Sequence, residues 1–153
     1  MQNKSVKPIP DGYHTLTPFI MVVGGAKSLE FLKNSFDAKE ISIHKNPDGT
    51  IMHAELQIGD SRLMLAEATE KYPAMPTMIY VYVDDADAVY KKAMAAGAES
   101  LREPTDEFYG DRSCGVKDAS GNQWWIATHV EDVSPEEMQR RQEEFMKKQA
   151  QQS

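Results

Sequence analysis

In the stretch MHAELQIGDSRLMLAE, a histidine and a glutamate stand two residues apart, His53 and Glu55. On a β-strand that spacing turns both side chains to one face. There they can serve as an acid/base pair for proton transfer, or as two donors to one divalent ion. A stable metal site needs a third donor, and Glu67 is a candidate for it. The plain alternative is a solvated His–Glu pair at a sheet edge. A second group lies in FYGDR, residues 108–112. Gly110 permits a tight loop, Tyr109 offers a ligand contact, and Arg112 carries a planar fork suited to a carboxylate or phosphate. The structural alternative there is an Asp111–Arg112 brace. Cys114 has no activating partner nearby in the sequence and reads as a buried thiol. His14 and His44 read as surface or strand-end residues, and His129 as the end of a strand before an acidic loop.

The elements that must hold these residues repeat. TPFIMVV, from Thr17, and TMIYVYV, from Thr77, both read as strands. Each leads into a segment with apolar residues at helical spacing: Leu29, Leu32 and Phe36 in the first, Val89, Ala93 and Ala96 in the second. Asp84 and Asp85 offer an N-cap, and Gly97 a stop. Three strands then follow in each half, with Ala38 answering to Ala98 and Ile41 to Leu101. Each half therefore reads β-α-β-β-β, and the chain is expected to be α+β, with two mostly antiparallel sheets covered by helices on their outer faces.

Gly59-Asp60 fits a two-residue hairpin turn. That turn opposes Leu56 to Leu63, Glu55 to Met64 and Ala54 to Leu65. Alternation then sends Ala54, Leu56, Ile58, Leu63 and Leu65 to the core, and His53, Glu55, Gln57, Arg62 and Met64 to the other face. In the second half Met78, Tyr80, Tyr82 and Trp125 are expected to share the face away from the helix, with Trp124, Ile126 and Thr128 opposite. Trp125 is expected to line a pocket with His53 and Glu55.

The tail begins with Ser134-Pro135-Glu136-Glu137, a capping box with proline at the first helical position. Four Glu-to-Arg/Lys pairs at i,i+4, from Glu136–Arg140 to Glu144–Lys148, support the helix, while Met138 and Phe145 alone mark an apolar seam. Residues 134–153 thus read as a solvated helix appended to a domain of residues 1–133, whose modules span about 13–70 and 75–130.

Composition narrows the function classes. The chain has 153 residues, 41% of them apolar and 27% charged, ordinary for a globular protein. A net charge of −7 argues against a general nucleic-acid binder and leaves room for a neutral or cationic small ligand. With one cysteine no internal disulfide forms, and no apolar run is long enough to cross a membrane or make a signal peptide. The expectation is a cytoplasmic protein with neither nucleic-acid nor membrane partner.

A doubled β-α-β-β-β unit of this size resembles the vicinal oxygen chelate superfamily, which includes glyoxalase I, extradiol dioxygenases and the fosfomycin- and bleomycin-resistance proteins. YHTLTPFI, MHAELQIGDSRLMLAE, YVDDADAVYKKAMAAGA, FYGDR and WIATHVEDVSPEEM, in that order, are similar to its PhnB-like, glyoxalase-like branch, and the resemblance covers residues 6–138. The resemblance implies a trough between the halves and, in the metalloenzymes, a divalent ion held there by His, Glu, His and Glu on the first and last strand of each half. Those positions carry over to Thr17 (or Pro18), Met64 (or Leu65), Met78 and Trp125, none of them a histidine or carboxylate. No metal or other cofactor is therefore expected. The resemblance also implies a homodimer. Three functions follow as alternatives. One is a metal-independent small-molecule binder with Thr17, Met64, Met78, Tyr80, Tyr109, Arg112 and Trp125 as contacts. The second is a lyase, isomerase or dioxygenase-like enzyme using His53 and Glu55, with or without a non-standard metal. The third is a structural or regulatory dimer.

Overall fold

A computed structural model describes residues 6–152. The chain divides into two compact units, Met1–Thr77 and Met78–Ser153.

The first unit contains β1 (Phe19–Val22), α1 (Gly25–Phe36), β2 (Lys39–Lys45), β3 (Ile51–Ile58) and β4 (Ser61–Glu67). Its sheet runs β1-β4-β3-β2, with β1 parallel to β4 and the other pairs antiparallel. The Gly59-Asp60 turn sets the expected register, Leu56 opposite Leu63, Glu55 opposite Met64 and Ala54 opposite Leu65. Ala54, Leu56 and Leu65 are fully buried, and they form the core with Val22, Leu29 and Leu32. Strand β1 starts at Phe19 rather than Thr17. Pro18 has no amide to give a ladder, and only its carbonyl joins in, accepting from the Met64 N–H. Helix α1 has no side chain at its N-cap position, where Gly24 is left-handed at φ 79°. Glu67 reaches over from β4 instead and accepts from the amides of Gly24 (2.8 Å) and Gly25 (2.6 Å). A carboxylate there satisfies two orphan donors and meets the positive end of the helix dipole.

The second unit repeats the order: β5 (Met78–Tyr82), α2 (Ala86–Ala95), β6 (Glu99–Asp106), β7 (Asp111–Lys117) and β8 (Gln123–His129), followed by α3 (Pro135–Gln151). Its sheet runs β5-β8-β7-β6, again with one parallel pair, β5 with β8. Asp85 caps α2 by accepting from the Ala88 amide, and Gly97 ends it at φ 96°. Ala86, Ala93, Cys114, Val116, Trp124 and Ile126 are buried in its core. The α+β expectation of two β-α-β-β-β units with a C-terminal helix describes the fold.

Helix α3 buries none of its residues. Ser134 Oγ caps it, accepting from the Glu137 amide. Of the expected ion pairs Glu137–Arg141 forms, whereas Arg140 reaches back to Glu137 and forward to Glu144. The helix docks through Arg141, which holds both oxygens of Glu131 and the Phe108 carbonyl, and through Phe145, whose ring lies 5.1 Å from that of Phe108. Met138, the other residue of the expected seam, is half-buried. Among the described residues no helix is long and apolar enough to cross a membrane.

Candidate functional site

On the face of the first sheet turned away from α1, the registers line up Phe19, Met64, Glu55 and Ser42 as cross-strand neighbours. His53 joins them, its ring 5.6 Å from that of Phe19 and its Nε2 3.6 Å from Glu55 Oε1. That separation is an ion-pair distance, beyond a formed hydrogen bond. Ser42 Oγ donates to Glu55 Oε2 at 3.2 Å. Tyr13, ahead of β1, brings its hydroxyl to the same carboxylate, in a geometry looser than a formed hydrogen bond. Its guanidinium neighbour, Arg62, lies over the Tyr13 ring and donates to the Gly12 carbonyl. The facing Tyr13 hydroxyl, then Ser42 and His53, hold the Glu55 pKa below the ordinary carboxylate value. Burial, then Glu55, pushes the Tyr13 phenol up. Glu55 is thus an ionised acceptor ringed by donors, and the expected pair with His53 is in place.

The second sheet presents a denser face away from α2. Tyr80, Trp125 and Gly115 are cross-strand neighbours, and Gly115 in turn pairs with Arg102. The indole of Trp125 lies down over Gly115, where a β-carbon would come within 2.9 Å of the ring. The Arg102 guanidinium covers one side at 4.9 Å from the ring centroid, and Gln123 accepts from the indole N–H at 3.2 Å. Arg102 is itself fixed by Ser113 Oγ and Glu107. Next to the indole, the phenols of Tyr80 and Tyr82 both donate to Asp111 Oδ2, at 3.1 and 3.0 Å. His129 Nδ1 bonds the other oxygen of Asp111 at 2.9 Å, and its Nε2 bonds Asp132 at 2.8 Å. The buried Asp111 carboxylate therefore ties two phenols and an imidazole together. Burial, then Tyr109 and Asp111, raises the Tyr80 pKa; the hydrogen bond to Asp111 is the main cause for Tyr82. Asp132 first, then Asp111, raises that of His129.

Alternation assigns the two tryptophans as expected. Trp124 is 1% exposed, donating from its indole N–H to Asp118, while Trp125 is half-buried on the opposite face. Met78, Tyr80 and Tyr82 share that face and remain 63, 43 and 64% exposed. Three other residues have different surroundings from those their sequence context suggested. Arg112 points to the α2 side, where Asp87 takes both of its forks at 2.5 and 2.8 Å and Asp106 a third bond. The guanidinium is spent on bracing α2 against β7, and the brace partner is Asp87 rather than Asp111. Glu67, the possible third donor beside His53 and Glu55, caps α1. Thr17 precedes β1 and donates to the His14 carbonyl. Tyr109 is half-buried beside Tyr80, its ring edge-on to Phe108. Cys114 is fully buried, and burial pushes its thiol up to about 11. Among the described residues no three His, Cys, Asp or Glu side chains converge as a metal-binding group.

Asp111 as the hub of this face was missed, although a signal existed. In DRSCGVK, Cys114 and Val116 alternate with Ser113 and Gly115, so Asp111 falls on the face of Trp125. Tyr13 carried no such signal, because its role depends on where a loop ahead of the first strand crosses the sheet.

Comparison with known proteins agrees with this architecture. The sequence pattern of the Glyoxalase/Bleomycin resistance protein/Dioxygenase superfamily matches residues 14–126. An uncharacterized protein of Mycobacterium bovis is 30% identical over 138 residues, covering 81% of this chain and 89% of that one. Among solved structures, TioX from Micromonospora sp. ML1 superposes with a TM-score of 0.67 at 23% identity, over 76% of this chain and 99% of TioX. TnmS3, an antibiotic binding protein from Streptomyces sp. CB03234, superposes with a TM-score of 0.62 at 17% identity, over 76% and 96%. The structural likenesses show the fold, and the matched pattern shows the lineage: this chain belongs to the Glyoxalase/Bleomycin resistance protein/Dioxygenase superfamily.

Proposed function

We propose that this protein binds a small ring-bearing organic molecule on the Tyr80–Tyr82–Trp125 face of its second unit, without the metal used by the superfamily's metalloenzymes. One observation carries the reading: exposed Met78, Tyr80 and Tyr82 share one face with the half-buried Trp125, while the polar tips of the three aromatic side chains are already bonded within the protein. Asp111 holds both phenols, Gln123 holds the indole N–H, and Gly115 lets the indole lie flat. Rings fixed this way lose little entropy when a ligand stacks on them. Met64, Met78 and Trp125, at the carried-over ligand positions, supply thioethers and an indole, which do not fit a hard divalent ion. TnmS3, which shares the fold, is an antibiotic binding protein, and that supports a binding role here. Placement in the PhnB-like branch, a cytoplasmic location and assembly as a homodimer belong to the same proposal. Calorimetry against a ligand found by native mass spectrometry tests it. Trp125→Ala should fold and lose binding by tenfold or more, about 1.4 kcal/mol; unchanged affinity would end this reading.

A second reading, catalysis by His53 and Glu55, is favoured by their placement on one face with Glu55 held ionised. Turnover of a bound ligand that disappears in both His53→Gln and Glu55→Gln would move the assignment to it.

A further inference from the structure

Resting on the ring-binding face just proposed, we propose that His129 is the polar end of that site, an imidazolium that takes the anionic group of an aromatic acid in exchange for Asp132. Three observations carry this. Asp111 has a side chain only 4% exposed, and its Oδ1 bonds His129 Nδ1, which orients the imidazole and leaves Nε2 as the outward atom. The other oxygen of the same carboxylate holds the hydroxyls of Tyr80 and Tyr82, so the imidazole and the hydroxyl ends of the two phenols meet at one carboxylate. The present partner of Nε2, Asp132, is fully exposed and lies in the loop after β8. An ion pair to so exposed a carboxylate contributes little and exchanges readily for another carboxylate. A ligand carboxylate brought there by a stacked ring replaces Asp132 without leaving any buried group unpaired.

The charges around His129 are consistent. Asp111 on β7 and Asp132 beyond β8 face it directly, Tyr80 and Tyr82 of β5 face the far oxygen of Asp111, and Tyr109 lies beside Tyr80. Glu131, next along the chain, is turned to Arg141. Two carboxylates on one imidazole favour its charged form. The chain's net charge of −7 points toward cationic ligands; this local arrangement points the other way, and the two are separable.

The test uses the full chain and three probes with one ring system: 2-naphthoate, neutral 2-naphthamide and 2-naphthylmethylammonium. Binding is read by calorimetry and by NMR shifts of the Trp125 indole N–H and the His129 ring. At pH 6, naphthoate should bind about tenfold more tightly than the amide, the scale of a charge-assisted hydrogen bond. That advantage should fade as pH rises through the His129 titration. Asp132→Ala should strengthen naphthoate alone, and His129→Gln should erase the ratio of naphthoate to amide affinity and its pH dependence, whatever the variant does to ring binding shared by both probes. Equal affinities for all three probes would overturn the anion assignment and leave the ring site standing. A preference for the ammonium, or an Asp132→Ala variant with unaltered naphthoate affinity, would also overturn it. If no probe binds or shifts Trp125, the ring site falls and this inference with it.

Discussion

Replacing Trp124 by alanine should cost about 3–5 kcal/mol, whereas the same change at Trp125 should cost about 1. The neighbours differ in almost nothing but the direction of their side chains. Trp124 is 1% exposed, and its strand neighbours across the ladder are Ile79 and Val116. Its removal leaves a cavity the size of an indole among side chains held by a sheet and a helix, which collapse only in part. It also strips a donor from Asp118, a buried carboxylate that accepts the Trp124 N–H at 2.9 Å with one oxygen and the amides of Ser120 and Asn122 with the other. Trp124→Phe separates the two effects. It keeps most of the volume and loses the bond, so about 1–3 kcal/mol is expected. Trp125 is half-buried over Gly115, and alanine there opens the space of the indole to solvent rather than leaving a closed cavity. Urea unfolding measures all three, with the midpoint moving and the slope unchanged. Equal losses for Trp124→Ala and Trp125→Ala would refute the alternation on which the site rests.

Gly115→Ala puts a methyl 2.9 Å from the Trp125 ring; it should cost about 1–3 kcal/mol and shift the indole N–H resonance, and an unshifted resonance would show that the ring does not lie there. Glu67→Ala removes the acceptor of the Gly24 and Gly25 amides, so a loss of about 1.5–3 kcal/mol is expected in thermal or urea unfolding. Arg140 and Arg141 hold the Glu137 pKa down to about 2. Its contribution to α3 is therefore full above the ordinary carboxylate value near 4.5 and lost as pH falls through about 2; NMR signals of α3 should stay native-like at pH 5 and fray toward pH 2, and earlier in Arg141→Ala. Cys114, buried and with its thiol near 11, should resist iodoacetamide at pH 8 in the native protein and react once unfolded in urea.

The repeated β-α-β-β-β pattern was legible because its signals are local. Strand and helix periods differ, Asp85 and Ser134 mark helix starts, and the Gly59-Asp60 turn admits one register that buries Ala54, Leu56 and Leu65 together. The same alternation separated Trp124 from Trp125 and placed His53 beside Glu55. What a polar side chain bonds to was not legible, because that choice is made between residues far apart in the chain. Arg112 looks like an anion fork in FYGDR, yet β7 carries it past α2 within reach of Asp87, and a two-pronged bond to that carboxylate occupies the fork. Glu67 looks like a free carboxylate beside His53 and Glu55, yet a helix that begins at two glycines has orphan amides, and β4 ends where Glu67 can meet them. Asp111 gathers Tyr80, Tyr82 and His129 only once β5, β7 and β8 lie side by side in that order. Short-range sterics and burial determined the elements and their faces; competition among distant donors and acceptors, settled only by the folded sheet, decided the site.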